Sequence, residues 1–268
     1  MTKSFDELRF SEYYGELPNY IGNKYVAVAT DKFYDSYDPG TGKIIARVPE
    51  TPSEEIEKAI EVAYNAYEKW SRLPIHDRLQ YLVRLKMIAE SHREDYARLL
   101  SQSVGKTLRE ARGEFFRAIQ AIDSALGAPH LFALTRKIMN IAKTEPEIDM
   151  EVVREPLGVF AIISPFNFPI MIPMWFIPWA ITLGNTVIVK PSEQDPTPLI
   201  LFARLFREAG YPEGVVNVVN GGGDVGRKLI THKDIVGVAF VGSTAVGEKI
   251  YAEAAQHGKR ALAQTSAK

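Results

Sequence analysis

Residues 158–193 read GVFAIISPFNFPIMIPMWFIPWAITLGNTVIVKPSE, and no residue from Pro156 to Val189 carries a charge. An uncharged run of this length is enough for a membrane span, but turn residues cut it into three pieces. Val159 to Ile163 is a short continuous apolar run, as expected for a strand buried on both faces. Pro165 and Pro169 break it. Ile170 to Leu183 has the length of a helix. Pro169 suits its first turn, whereas Pro173 and Pro178 should kink or shorten it. Trp175 and the Met and Phe residues near it read as core. Gly184-Asn185 ends the helix, Thr186 to Val189 is a second buried strand, and Lys190-Pro191 closes the unit. Strand, crossover helix, strand predicts a βαβ unit in the centre of a parallel sheet. Its polar residues Ser164, Asn167, Lys190, Ser192 and Glu193 fall at strand ends, where α/β folds place ligands.

Downstream the alternation is regular. Thr197 to Ala209 is predicted helical and stopped by Gly210, and Gly214 to Asn220 is a strand. Gly221-Gly222-Gly223 then opens a short helix to Thr231. Ile235 to Val241 is a strand, Gly242-Ser243 opens a helix to His257, and Arg260 to Gln264 begins a further strand. This order predicts an α/β fold with a doubly wound parallel sheet. The chain stops just after that strand starts, so a truncated chain, a split gene or a lost downstream half is expected.

Upstream, residues 1–20 lack a clear period and read as an extended arm, followed by a candidate strand from Tyr25 to Thr30. Asp38-Pro39-Gly40 marks a turn that leads into a strand. Thr51-Pro52-Ser53-Glu54 fits a capping box ahead of a helix carrying Ile56, Ala59, Ile60, Ala63, Tyr67 and Trp70 at helical spacing. Further helices are predicted over Asp77–Ala89, Glu94–Gln102 and Thr107–Leu126, with Gly105-Lys106 as a helix boundary. Asp149 to Arg154 suits an exposed strand at a sheet edge or a subunit contact.

Composition narrows the function. With 32 basic and 33 acidic residues there is no electrostatic case for nucleic acid or an anionic membrane surface. Cysteine is absent, which excludes disulfides, thiolate metal ligands and a cysteine nucleophile within the chain. The five histidines show no metal-ligand spacing, so no metal site is expected. No secretory signal is legible at the N-terminus, and a cytoplasmic protein is expected.

Several polar motifs carry alternatives. Gly221 to Gly226, GGGDVG, fits the dinucleotide pattern GxGxxG after a strand and before a helix, yet no acid closes the next strand to hold a ribose. It is either a phosphate loop or a plain glycine turn. In Gly242 to Gly247, GSTAVG, Ser243 or Thr244 can cap a helix whose free amides attract an anion. Lys190 and Glu193 belong either to a solvated loop or to a site for two vicinal hydroxyls, where a carboxylate would repel a 2′-phosphate and favour NAD over NADP. Asn167, between two phenylalanines, is a turn residue or an amide donor to a developing oxyanion.

In order and spacing, PFNFP, GNTVIVKPSE, GYPEGVVNVVNGGG and VAFVGST resemble the NAD-dependent aldehyde dehydrogenase superfamily, as do YDPGTGKIIARVP and SVGKTLREARGE upstream. PFNFP followed by IPMW is similar to the CoA-acylating methylmalonate-semialdehyde branch. The resemblance runs from about residue 20 to 268. It implies a Rossmann-like cofactor domain that binds NAD without the usual fingerprint. Asn167 would be the oxyanion-hole asparagine, and Ser164 and Phe166 would flank the cofactor. Lys190 and Glu193, with Gln194 beside them, would contact the adenosine ribose. Ser243, after Gly242, would contact the pyrophosphate, and Gly223 would flank the adenine side. Residues 1–135 would form the arm and helical part, 136–157 a segment of an oligomerisation arm and 158–268 the cofactor core.

Two departures bear on activity. Many members carry ELGGK where this chain has Gln264 to Lys268, and the family's glutamate there hydrolyses the thioester; the acylating branch also lacks it. The family's catalytic cysteine lies beyond Lys268. The expected parent reaction is therefore oxidation of a short semialdehyde by NAD, with CoA taking up the acyl group, in a homo-oligomer or a complex with a missing C-terminal half. This chain alone is expected to be inactive. The rivals are a hydrolytic aldehyde dehydrogenase, a non-catalytic nucleotide-binding module, and a partner-binding role using an exposed sheet edge.

Overall fold

The protein is described by a computed structural model covering residues 5, 10–132, 136–139 and 148–266. Most of the predicted arm at residues 1–9, part of the 136–157 segment and the last two residues lie outside the described residues. Strands β1 (Asn19–Ile21), β2 (Lys24–Val26), β3 (Phe33–Tyr37) and β4 (Ile44–Pro49) come first. Helices α1 (Ser53–Trp70), α2 (Ile75–Ser91), α3 (Arg93–Val104), α4 (Leu108–Leu126) and α5 (Ala128–Phe132) follow. A short ribbon of β5 (Arg136–Ile138) and β6 (Met150–Val152) leads into the alternating core. That core is β7 (Val159–Ile163), α6 (Met171–Thr182), β8 (Thr186–Lys190), α7 (Thr197–Glu208), β9 (Val216–Val218), α8 (Gly223–Thr231), β10 (Ile235–Val241), α9 (Thr244–Gln256) and β11 (Arg260–Gln264).

The main sheet runs β11-β10-β7-β8-β9-β1-β2. Its first five strands are parallel, as the alternation predicts. β1 and β2 add an antiparallel hairpin beyond β9, so the sheet is mixed at that end. The arm was expected over residues 1–20; its last two residues, Asn19 and Tyr20, enter β1 of the main sheet. The reason is tertiary: Asn19 is fully buried, its side chain donates to Thr51 and accepts from the Asn220 amide N–H. The same contacts remove Thr51 from its expected capping role. Thr51 Oγ1 donates to Asn220 O at 2.6 Å, Pro52 occupies the N-cap of α1, and no side chain caps it. Where a capping box does form, Thr107 and Glu110 build it at the start of α4.

The two sheet faces carry separate cores. Helices α2, α3, α4, α6 and α7 pack with Trp70, Tyr96, Phe115, Phe202 and Phe206 on one side. α1, α8 and α9 cover the other around Ile60, Val225, Val238 and Ile250. β7 and β8 are thus covered on both faces, which explains their uninterrupted apolar sequence.

α6 is apolar all round. It runs unbroken from Met171 to Thr182, with Pro173 in the first turn and Pro178 inside it, so the prolines do not shorten it as predicted. A proline in the first turn removes no helical hydrogen bond. Trp175, expected in the core, is 39% exposed, while Met171 and Met174 are buried. α6 packs its other side on α4, which leaves Trp175 on the outer face. Side chains from other helices close both ends of α6. Glu114 of α4 accepts from Ile170 N–H and Met171 N–H, while Trp70 Nε1 and Arg78 Nε donate to Ile181 O and Thr182 O, each at 2.8 Å.

Among the described residues, no helix is long and apolar enough to cross a membrane.

Candidate functional site: a cleft at the sheet switch point

The strand order turns at β7: β8 and β9 lie to one side, β10 and β11 to the other. Parallel register aligns Ile163 with Lys190 and with Phe240, and Val241 with Gln264. The C-terminal strand ends therefore share one edge. From there the chain leaves β7 toward α6 on one face and β10 toward α9 on the other, which opens a crevice between them. A cleft of about 800 Å³ occupies that place, within the range of small-molecule sites. Of the residues singled out in the sequence, Ser164, Phe166, Lys190, Ser192, Glu193, Gly223, Gly242 and Ser243 line it together.

Lys190 ends β8 and is buried. Its Nζ donates to Gly221 O at 2.7 Å and lies 3.5 Å from Glu193 Oε2. Burial pushes its pKa below the usual lysine value, against the pull of Glu193. The strand end, the glycine turn and the Glu193 loop are thus held by one ammonium. Ser164 Oγ is buried beside them with no hydrogen-bond partner among the described residues. Ser243 stands at the N-cap of α9 in extended conformation and makes no side-chain cap bond, so the first-turn amides of α9 are left to a ligand or solvent. A Cβ at Gly242 would lie 2.4 Å from the Phe240 ring, so glycine is required where the chain turns into the cleft.

The Gly221–Gly223 turn is occupied by the protein itself. Gly222 N–H donates to Glu50 Oε2 at 2.7 Å. Gly221 has φ +140, and a Cβ there would meet Val225 Cγ2 at 2.3 Å; at Gly222 it would meet Tyr34 Oη at 2.5 Å. These glycines serve close packing against the β3–β4 hairpin, in keeping with the missing acid on β10. Burial and a hydrogen bond to Glu50 push the Tyr34 phenol up to about 12. Glu50 and Tyr34 carry no local sequence signal, because only the fold brings the hairpin against a turn some 170 residues away.

Asn167 and Gln194 do not line the cleft. Asn167 is exposed in the β7–α6 connection. Gln194 is also exposed, and its backbone accepts from Ser36 Oγ at 2.7 Å. Beneath both loops lies a buried charged cluster that the sequence did not signal. Glu114 pairs with Lys106, and the Lys106 ammonium sits 3.7 Å from the Phe168 ring centroid, next to Asn167. Asp195 accepts from Ser103 Oγ at 2.9 Å while its second oxygen has no partner among the described residues. Burial raises the Asp195 carboxyl to about 8. A carboxyl raised in the folded state holds its proton where the unfolded chain has lost it, so stability falls as pH rises from about 4 to about 8. Urea unfolding at pH 5 and pH 9 is expected to show Asp195→Asn narrowing this loss by about 1–3 kcal/mol. Equal pH dependence in both proteins would refute it.

Among the described residues, no group of three or more metal-ligating side chains is placed to hold an ion.

Fold and cleft define a doubly wound α/β domain with a cleft at the switch point. The chain belongs to the aldehyde dehydrogenase family, whose profile matches residues 25–268. It is 41% identical over 252 residues to malonate-semialdehyde dehydrogenase 1 of Geobacillus kaustophilus (strain HTA426), covering 94% of this chain and 51% of that protein. The corresponding protein of Bacillus thuringiensis subsp. konkukian (strain 97-27) is 42% identical over 250 residues, with 93% and 51% covered. Among solved structures, one assigned as a methylmalonate-semialdehyde dehydrogenase of Sinorhizobium meliloti 1021 complexed with NAD superposes with TM-score 0.90 at 36% identity, covering 94% of this chain and 51% of that one. Methylmalonate-semialdehyde dehydrogenase of Oceanimonas doudoroffii gives TM-score 0.90 at 35% identity, over 95% and 51%. The chain spans about half the length of the curated relatives it matches.

Proposed function

We propose that this chain is the cofactor-binding part of an NAD-dependent, CoA-acylating dehydrogenase acting on malonate or methylmalonate semialdehyde. The observation that carries this is the cleft itself: a buried lysine and a carboxylate at one end, an uncapped helix N-terminus at the other, and the unpartnered Ser164 hydroxyl between. The residues fit a dinucleotide. Lys190 donates to, and Glu193 accepts from, the adenosine-ribose hydroxyls, with Gln194 beside them. Ser243 and the first amides of α9 hold the pyrophosphate, Gly242 allows its close approach, and Gly223 flanks the adenine side. Ser164 and Phe166 flank the nicotinamide end. When bound, NAD supplies the two-electron acceptor. Asn167 donates its amide N–H to the oxyanion that develops as a thiol adds to the aldehyde.

Release of the acyl group to CoA rather than water is supported by Gln264. It ends β11 beside the cleft, its carbonyl accepting from Gly242 N–H at 3.2 Å, and its amide takes no proton. The same residue disfavours a hydrolytic enzyme. The sequence has no cysteine, so we read the chain alone as inactive and in need of a thiol from elsewhere. That absence equally supports a non-catalytic nucleotide-binding protein. An aldehyde-dependent NADH signal from the pure chain would overturn both. We also read 136–157 as part of an oligomerisation arm; Ile138, Met150 and Val152 on the β5–β6 ribbon are exposed. A cytoplasmic setting suits this chemistry.

Calorimetric titration tests the reading. NAD is expected to bind the 268-residue chain, and Glu193→Ala to weaken it about tenfold. No binding by a demonstrably folded chain would refute it.

A further inference from the structure

The glycine turn presents an unusual arrangement. Backbone amides at a helix N-terminus attract anions, yet the Gly222 N–H at the N-cap of α8 is spent on an internal carboxylate. Glu50, at the end of the β3–β4 hairpin, has a side chain only 12% exposed. One oxygen accepts from Gly222 N–H and the other lies 3.8 Å from Lys32 Nζ. A Cβ on Gly221 would come within 3.1 Å of the same carboxylate, and one on Gly222 would lie 2.5 Å from the Tyr34 hydroxyl, whose pKa burial and Glu50 raise. On the other side of the turn, Lys190 Nζ holds Gly221 O and faces Glu193. The Lys190 ammonium at this end of the cleft pairs with Glu193 from the loop after β8, and the Gly221–Gly222 backbone links it to Glu50, which lies behind the glycine turn. Asp224, in the first turn of α8, adds a further negative charge near Tyr34.

We propose that Glu50 is a specificity-determining residue: its carboxylate fills the anion position of the Gly221–Gly223 turn and, with Glu193, turns the site away from nucleotides that carry a phosphate on the adenosine ribose. This rests on the nucleotide reading of the cleft. The turn then works in reverse of a phosphate loop. Its amide is satisfied from within, and the surplus negative charge lies beside the hydroxyls that Lys190 and Glu193 hold. A dianionic phosphate there would meet two fixed carboxylates and find the turn amide already bonded. A purely structural cap makes a different prediction, because a glutamine in place of Glu50 still accepts from Gly222 N–H while carrying no charge.

The test is calorimetry of NAD and NADP on the 268-residue chain as wild type, Glu50→Gln and Glu50→Ala, each checked for folding by circular dichroism. The ratio of the two dissociation constants, NADP over NAD, is expected to fall about tenfold in Glu50→Gln. Being internal to each variant, the ratio cancels any shared loss of affinity. An unchanged ratio in Glu50→Gln, with NAD still bound, overturns the proposal and leaves the nucleotide site standing. Failure of the folded wild type to bind NAD overturns the nucleotide reading and the specificity role with it. The amide proton resonance of Gly222 gives a readout free of nucleotide: it is expected to move upfield in Glu50→Ala, and a resonance that stays in place refutes the internal occupancy.

Discussion

Glu114→Ala is expected to lower the folding free energy by about 3–5 kcal/mol, the cost of stranding one partner of a buried ion pair. The Glu114 side chain is fully buried and the Lys106 side chain 14% exposed. One carboxylate oxygen pairs with Lys106; the other accepts from Ile170 N–H at 3.3 Å and Met171 N–H at 3.4 Å, the first free amides of α6. Alanine leaves an ammonium without its counter-charge and two buried donors without an acceptor. Burial raises the Glu114 pKa, and Lys106 opposes this only in part, so the pair is held by geometry rather than by surplus attraction. Glu114→Gln keeps an acceptor for the α6 amides and is expected to lose about half as much. Urea unfolding of the two variants measures both. A loss below about 1 kcal/mol for Glu114→Ala would show that α6 does not depend on this cap.

Lys190→Met is expected to weaken NAD binding about a hundredfold, from the loss of charge-assisted hydrogen bonds to the ribose hydroxyls and of the tie to Gly221 O. The change removes the ammonium but preserves most of the buried stem, so the apolar contacts at the end of β8 persist. It also leaves Glu193 without its ion-pair partner and Gly221 O without its donor, which loosens the Glu193 loop and the glycine turn together. Calorimetry beside a denaturation curve separates the effects. Affinity within about threefold of wild type would mean the ribose lies elsewhere in the cleft.

Much of the cleft lining is legible in the sequence because parallel strands place their C-terminal ends on one edge. Ser164, Lys190 with Glu193, and Gly242 with Ser243 come from three separate stretches of the chain, each at the end of a buried apolar run. Locating the runs located the residues. The limits are equally specific. Thr51 looked like a helix cap but is taken by Asn19 and Asn220 from the hairpin and the β9 end. Trp175 looked like core but faces outward, since an all-apolar helix does not announce which side is covered. Asn167 and Gln194 fall outside the cleft that their neighbours line.

The order and kind of the core elements, and their arrangement in a parallel doubly wound sheet, follow from the sequence alone. Hydrophobic period, glycine stops and strand-end polar residues are local properties. The disposition of charge around the cleft comes from packing between distant segments. Glu50 in the glycine turn, Glu114 capping α6, Trp70 and Arg78 closing its other end, and Asp195 buried against Ser103 are all contacts between distant segments. A buried polar group must find its partner wherever the packed chain brings one. No local pattern records which distant residue that will be.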